Sequence, residues 1–299
     1  MSDRAVDTLP PLRETIAAHD LRAEKRLGQN FLFDLNLTRR IAREGGAADA
    51  GAILEIGPGP GGLTRALLTE GEASVVVVEK DRRCRPILEE LQAASGGRLD
   101  IVEADALTLT PDDLLQDLPR PWHIIANLPY NVGTALLVKW MSGTSRPPAI
   151  GRFTLMFQKE VAERIVAKPG TSAYGRLSIL SQWRAETRLL FDVNRSAFSP
   201  PPKVTSSVVS IIPRPPKIPC DWHLLETISA MAFGQRRKML RTSLKPLVAS
   251  HPDGAERALE ALCGAAGISP SDRPERVAVE AFCRLAQKAA EMGSDLRAP

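Results

Sequence analysis

Chemistry is concentrated first at Asn127-Leu128-Pro129-Tyr130, which follows the apolar run Ile124-Ile125-Ala126. A strand that stops on Asn presents a carbonyl acceptor beside a ligand crevice, and the proline two residues on fixes the backbone carbonyl between them. Tyr130 adds a ring face. Two acceptors and a stacking surface suit a planar base with an exocyclic amine, such as adenine N6. A plain turn after a core strand is the alternative, and the motif alone leaves both open.

Strands ending at matching depth must position these groups. Ala52-Ile53-Leu54-Glu55-Ile56 reads as a central parallel strand, and Gly57-Pro58-Gly59-Pro60-Gly61-Gly62 turns directly into a helical stretch. Glycines allow close approach of a ligand, while Pro58 and Pro60 remove amide donors that a pyrophosphate would use. The next strand, Ser74 to Val78, leads to Glu79, about twenty residues past the glycines, where an acid reaches ribose hydroxyls. A nucleoside lacking phosphates fits best, and S-adenosylmethionine is of that kind. A third strand, Leu99 to Glu103, delivers Asp105, either a ligand for the cofactor's adenine amine or a helix cap. Gly57, Glu79, Asp105 and Asn127 are then expected along one carboxyl edge of a parallel sheet.

Ahead of this core, a helix is expected over Leu9 to Asp20, followed by the basic stretch Arg22 to Leu32. Phe31, Leu32 and Phe33 could pin an N-terminal arm to the core, and Asn30 could close over a ligand; both readings stand. The 299 residues are 43% hydrophobic, enough for one large and one smaller domain, and the net charge of +4 permits a polyanionic partner without requiring one. Cys84, Cys220, Cys263 and Cys283 lack C-x-x-C spacing, so neither a zinc site nor a disulfide framework is expected. No apolar run reaches membrane-spanning length and no signal peptide is recognisable; a cytoplasmic protein is expected.

Beyond the Asn motif, a helix is expected over Thr134 to Trp140, a strand over Arg152 to Phe157, a helix over Lys159 to Val166, and strands over Leu189 to Val193 and Val204 to Ile212. Between those last strands lies Phe198 before Ser199-Pro200-Pro201-Pro202, where a packed, rigid loop is the ordinary reading. Pro213 to Pro219 reads as a stiff linker. Helices follow near Trp222 to Phe233, Lys238 to Val248, Ala255 to Ala265 and Arg276 to Ala290. The expected division is thus 1–213 for the arm and α/β domain and 214–299 for a smaller α domain. Arg236, Arg237, Lys238, Arg241 and Lys245 form a basic cluster there; such runs are commonly solvated faces, but beside an adenine site they read as phosphate-binding.

Taken together, Gln29-Asn30-Phe31-Leu32, Glu55-Ile56-Gly57-Pro58-Gly59, Glu79, Asp105, Asn127-Leu128-Pro129-Tyr130 and Phe198 to Val204 resemble the ribosomal RNA adenine N6-dimethyltransferases of the KsgA (RsmA) type, over nearly the whole chain. The resemblance implies a Rossmann-like class I methyltransferase domain with a smaller C-terminal helical domain. It implies S-adenosylmethionine contacts at Asn30, Leu32, Gly57, Gly59, Glu79, Asp105 and Asn127, and a catalytic group of Asn127, Leu128, Pro129, Tyr130 and Phe198, with Phe198 facing Tyr130 across the target base. The implied substrate is 16S rRNA within the 30S subunit or its precursor, dimethylated at two adjacent adenines near the 3′ end. The residues themselves add the expectation of a monomer without a metal, since no motif demands an oligomer and no metal-ligand spacing is present. A nicotinamide dehydrogenase, a DNA adenine methyltransferase, a 23S rRNA methyltransferase and an assembly factor with incidental catalysis are the competing readings.

Overall fold

The structure, a computed structural model, describes residues 5–24, 28–142 and 150–293. After helix α1 (Leu12–Ala18) and the short strand β1 (Phe31–Leu32) come α2 (Leu35–Glu44), β2 (Ala52–Ile56), α3 (Gly62–Glu70), β3 (Ser74–Glu79), α4 (Arg85–Ala94), β4 (Leu99–Glu103), α5 (Pro111–Leu115), β5 (Trp122–Asn127), α6 (Gly133–Ser142) and β6 (Ile150–Gln158). There follow α7 (Lys159–Val166), α8 (Arg176–Gln182), β7 (Ala185–Val193), β8 (Phe198–Ser199) and β9 (Ser206–Pro213). Helices α9 (Trp222–Gly234), α10 (Leu240–Ser243), α11 (Ala255–Ala265) and α12 (Val279–Glu291) complete the chain.

Seven strands form one sheet in the order β4-β3-β2-β5-β6-β9-β7. Strands β4, β3, β2, β5 and β6 are mutually parallel, and β9 runs antiparallel to β6. Strand β2 is buried along its whole length, and β3 at all but its first residue, which is why their sequences are near-continuous apolar runs rather than alternating ones, broken in β2 by Glu55 and ended in β3 by Glu79. The chain moves outward from β2 through β3 to β4, then returns to the other side of β2 with β5. That reversal creates a switch point between β2 and β5, where flanking loops diverge and leave a crevice at the strands' carboxyl ends.

Helix α2, absent from the sequence expectation, is capped by Asp34, whose side chain accepts from the amides of Asn36 and Leu37, and Thr38, Ile41 and Ala42 form its buried face at helical spacing. A second, two-stranded sheet joins β1 to β8 antiparallel, with Phe31 opposite Ser199 and Leu32 opposite Phe198. The N-terminal arm is therefore held by backbone pairing as well as by the burial of Phe31 and Leu32, a pairing absent from the sequence expectation.

The chain resolves into two compact units. One draws on Met1–Trp140, Pro147–Ala162 and Arg188–Pro213, the other on Met141–Arg146, Glu163–Thr187 and Arg214–Pro299. A single cut after residue 213 misses the contribution of Glu163–Thr187 to the second unit. The cause is tertiary: the buried Tyr174 hydroxyl donates to the Val277 carbonyl at 2.8 Å, and Trp183 packs against Trp222 with ring centroids 5.6 Å apart. In the same unit, the helix expected over Lys238 to Val248 is broken into a turn, the short α10 and a 3-10 turn over Lys245–Val248. Pro246 cannot donate a helical hydrogen bond, and the amides of Leu240 and Arg241 bond instead to the carbonyls of Asp272 and Pro270. Among the described residues no helix is long and apolar enough to cross a membrane.

Candidate cofactor and acceptor-base site

The glycine turn after β2 is shaped by backbone that only glycine adopts without strain: Gly57, Gly59 and Gly61 have φ of 68°, 55° and 82°. The amides of those three glycines are spoken for. Gly57 N donates to Val78 O, Gly59 N to the Glu79 carboxylate and Gly61 N to Pro58 O, at 2.9, 2.9 and 3.0 Å. With Pro58 and Pro60 offering none, residues 57–61 present no free N–H of the kind that holds a pyrophosphate. That stretch suits the uncharged part of a nucleoside.

Glu79 ends β3, 9% exposed, with Oε2 accepting from Gly59 N and Oε1 from the amides of Lys80 and Asp81 at 2.8 Å each. Burial raises its pKa above the ordinary carboxylate range, and those three amides oppose the rise. Asp105 proves to be both a cap and a cavity residue. Its Oδ1 accepts from Leu107 N, capping the 3-10 turn at Ala106–Thr108, while Oδ2 pairs with Lys80 Nζ at 2.8 Å, which lowers its pKa.

Asn127 closes β5, next to β2 across the switch point. Its Nδ2 donates to the Asn30 carbonyl at 3.3 Å, so the arm takes up the amide and leaves Oδ1 as an acceptor. The Asn30 side chain donates to Gly28 O at 3.3 Å. Pro129 O accepts from Val132 N and Gly133 N, fixing the motif to the start of α6. The Tyr130 hydroxyl and Ser206 Oγ, 2.5 Å apart, pin that ring to the start of β9. A Cβ at Gly57 would stand 3.4 Å from Pro129, so the glycine turn and the Asn motif are already in contact.

A cavity of about 220 Å³ brings together Asn30, Leu32, Gly57, Gly59, Glu79, Asp105, Asn127, Leu128, Pro129 and Tyr130. Phe198 does not line it. The side chain is 4% exposed within the core cluster that also holds Phe31 and Leu32. Of the five basic residues, Arg236 is engaged internally, with Glu275 at 3.5 Å and the Thr171 carbonyl at 3.3 Å. Arg237, Lys238, Arg241 and Lys245 are exposed, and among the described residues none has an acidic partner.

Several site residues had no role assigned from sequence. Glu55, buried beneath the glycine turn and lining the cavity, accepts from Thr64 Oγ1 at 2.7 Å, and burial lifts its pKa to about 8. Gln29 donates to Asp81 at 2.8 Å, and Ser206 holds Tyr130. The Glu-x-x-x-x-x-x-x-x-Thr spacing across a strand and a turn offers no local signal for the first of these. Asp81, two residues past a strand end and followed by Arg83, carries the signature of a cap, and its side chain does accept from Arg83 N.

Residues 20–291 match the family model described as ribosomal RNA adenine dimethylase. The chain belongs to the ribosomal RNA adenine dimethylase family. It is 54% identical over 287 residues to a ribosomal RNA small subunit methyltransferase A of Ruegeria pomeroyi, covering 96% of this chain and 99% of that one. The protein of that name from Rhodospirillum rubrum is likewise 54% identical, over 289 residues, covering 96% and 95%. Among solved structures, the 23S rRNA methyltransferase ErmE aligns with a TM-score of 0.63 at 26% identity, over 87% of this chain and all of that one. A dimethyladenosine transferase from Plasmodium falciparum shares the fold, with a TM-score of 0.70 at 24% identity, over 88% and 98%. The chain is thus an rRNA adenine dimethyltransferase with a class I methyltransferase fold and a helical C-terminal region, and family membership removes the dehydrogenase reading.

Proposed function

We propose that this enzyme transfers methyl groups from S-adenosylmethionine to N6 of two adjacent adenines near the 3′ end of 16S rRNA, within the 30S subunit or its precursor. It would act as a cytoplasmic monomer, with no metal, in small-subunit biogenesis. The observation that carries the reading is the convergence of the Asn127-Leu128-Pro129-Tyr130 motif and the Gly57, Glu79 and Asp105 strand ends on one cavity. The naming of the curated relatives for the small subunit supports that target over 23S rRNA.

The cavity fits the cofactor's chemistry. Positive-φ glycines allow close approach, their amides are unavailable to phosphate, and two acidic side chains stand at neighbouring strand ends for hydroxyl and amine donors. Asn30, Leu32, Gly57, Gly59, Glu79, Asp105 and Asn127 would hold it. S-adenosylmethionine, when bound, supplies an electrophilic methyl on a sulfonium.

Adenine N6 is a poor nucleophile because its lone pair is delocalised into the ring. The Asn127 Oδ1 and Leu128 carbonyl would each accept a hydrogen bond from one N6–H, drawing the nitrogen toward tetrahedral geometry and localising its lone pair; the surplus proton would leave N6 to water only after the methyl has transferred. No side chain has to remove a proton first. Tyr130, pinned by Ser206, would stack on the unstacked base, and Phe198 would supply the second face by turning out of the cluster it packs in. Arg237, Lys238, Arg241 and Lys245 would contact RNA phosphates, adding affinity without base readout.

The test is transfer of labelled methyl to unmethylated 30S subunits, with 50S subunits and duplex DNA in parallel, and mapping of the modified base. Label on two neighbouring 16S adenines is expected. Label confined to 23S rRNA or DNA would overturn the target, and tight 30S binding without transfer would favour an assembly factor.

A further inference from the structure

Among the side-chain contacts that tie down the arm reaching the cavity, one has a purpose that the methyl-transfer chemistry does not explain. Gln29 Nε2 donates to Asp81 Oδ2 at 2.8 Å, while Gln29 Oε1 accepts from Glu24 N at 2.9 Å. The amide is thereby stretched between the arm's own backbone and the turn after β3. Asp81 is 7% exposed and firmly held, since Arg83 donates to it from N, Nε and Nη2 at 3.1, 2.9 and 2.6 Å. Arg83 Nη1 also reaches Glu24 at 2.9 Å. These contacts keep Asp81 ionised, with a pKa lowered chiefly by Arg83 and further by Gln29, so the Gln29 bond is charge-assisted.

Two cavity residues are joined through this bond. The Asp81 amide donates to Glu79, and Gln29 precedes Asn30, whose carbonyl receives the Asn127 amide. Groups on β3, on the arm and on β5 that face one cavity are thus linked across Gln29 and Asp81. Below that point the arm is bound by β1–β8 pairing, which Gln29 does not join. Opening the cavity at residues 28–30 while the rest of the arm stays paired requires the 2.8 Å Gln29 bond to break, together with the longer 3.3 Å bond from Asn127 to the Asn30 carbonyl.

We propose that the Gln29–Asp81 hydrogen bond is a latch closing the arm over the cofactor cavity, and that Gln29 is a positioning residue governing cofactor exchange. The inference rests on the S-adenosylmethionine reading of that cavity. Release of cofactor then waits on the latch, and Asn30 and Asn127 are aligned when it is shut.

The experiment measures binding and dissociation of S-adenosylhomocysteine, by calorimetry and stopped-flow displacement, for the full chain and for Gln29→Ala, Asp81→Ala and the double variant. Gln29→Ala should dissociate about ten-fold faster, the scale of one hydrogen bond to a charged group, with KM for the cofactor raised more than kcat falls. Because both side chains act through one bond, the double variant should dissociate no faster than Asp81→Ala alone. Unchanged dissociation from Gln29→Ala, or effects that multiply in the double variant, would overturn the latch. Absence of any binding by the unaltered protein would instead overturn the cofactor reading. Should Asp81→Ala fail to fold, Asp81→Asn keeps an acceptor for Gln29 and should dissociate more slowly than Gln29→Ala; the reverse order would refute the proposal.

Discussion

Asn127 shows how one side chain is given its role by its neighbours. Free in a loop, its amide would both donate and accept; here Nδ2 donates to the Asn30 carbonyl, which leaves the oxygen as an acceptor beside the cavity. Asn127→Ala is expected to lower kcat by at least a hundred-fold, about 3 kcal/mol of transition-state stabilisation, while leaving RNA affinity largely intact; single-turnover methylation beside a filter-binding assay separates the two. Glu55 makes a different point. With a folded pKa of about 8 against an ordinary 4.5, the folded protein holds an extra proton between those pH values and loses stability as pH rises through that window. One such proton gives a slope of about 1.4 kcal/mol per pH unit. Glu79, raised for the same reason, contributes with the same sign. Glu55→Gln should therefore flatten part of the decline seen in urea denaturation across pH 5 to 8, and an unaltered slope would show that Glu55 is ionised when folded.

At the scale of elements, the strand ends of β2 and β5 form the site because the chain reverses between them, and the arm completes it because β1 pairs with β8. Gly62 tests how tightly that arm is seated. A Cβ there would lie 2.5 Å from the Leu32 carbonyl oxygen, a backbone atom that moves only if β1 moves. Gly62→Ala is expected to cost about 1–3 kcal/mol and to weaken cofactor binding. Gly264→Ala in α11, where nothing lies within 4 Å, should instead stabilise by about 0.5–1 kcal/mol. Denaturant midpoints of the two variants decide whether packing or propensity governs each position.

At the scale of the whole molecule, the charge is modest and its distribution does the sorting. Arg237, Lys238, Arg241 and Lys245 are exposed and lack acidic partners among the described residues, whereas Arg236 in the same run is spent on Glu275. Replacing the first four by Ala should reduce the slope of log affinity against log salt by about three, as expected for single-stranded contacts, with little change in kcat at saturating substrate. Arg236→Ala should leave the salt slope nearly unchanged and lower the melting temperature. RNA binding measured across a salt series distinguishes a phosphate-binding surface from a solvated one.

Sequence alone determined the parallel strands, the glycine turn and the acidic and amide residues at the strand ends. These are local: a strand buried on both faces is mostly apolar, and a turn with positive φ favours glycine. Tertiary structure decided what has no local signature. It assigned Glu163–Thr187 to the second unit through contacts such as Tyr174 to Val277, broke the helix expected over Lys238 to Val248, buried Phe198 against the arm and joined Gln29 to Asp81. Each depends on residues far apart in the chain meeting with particular geometry. Periodicity reports which face of an element is buried; it cannot name the partner that buries it.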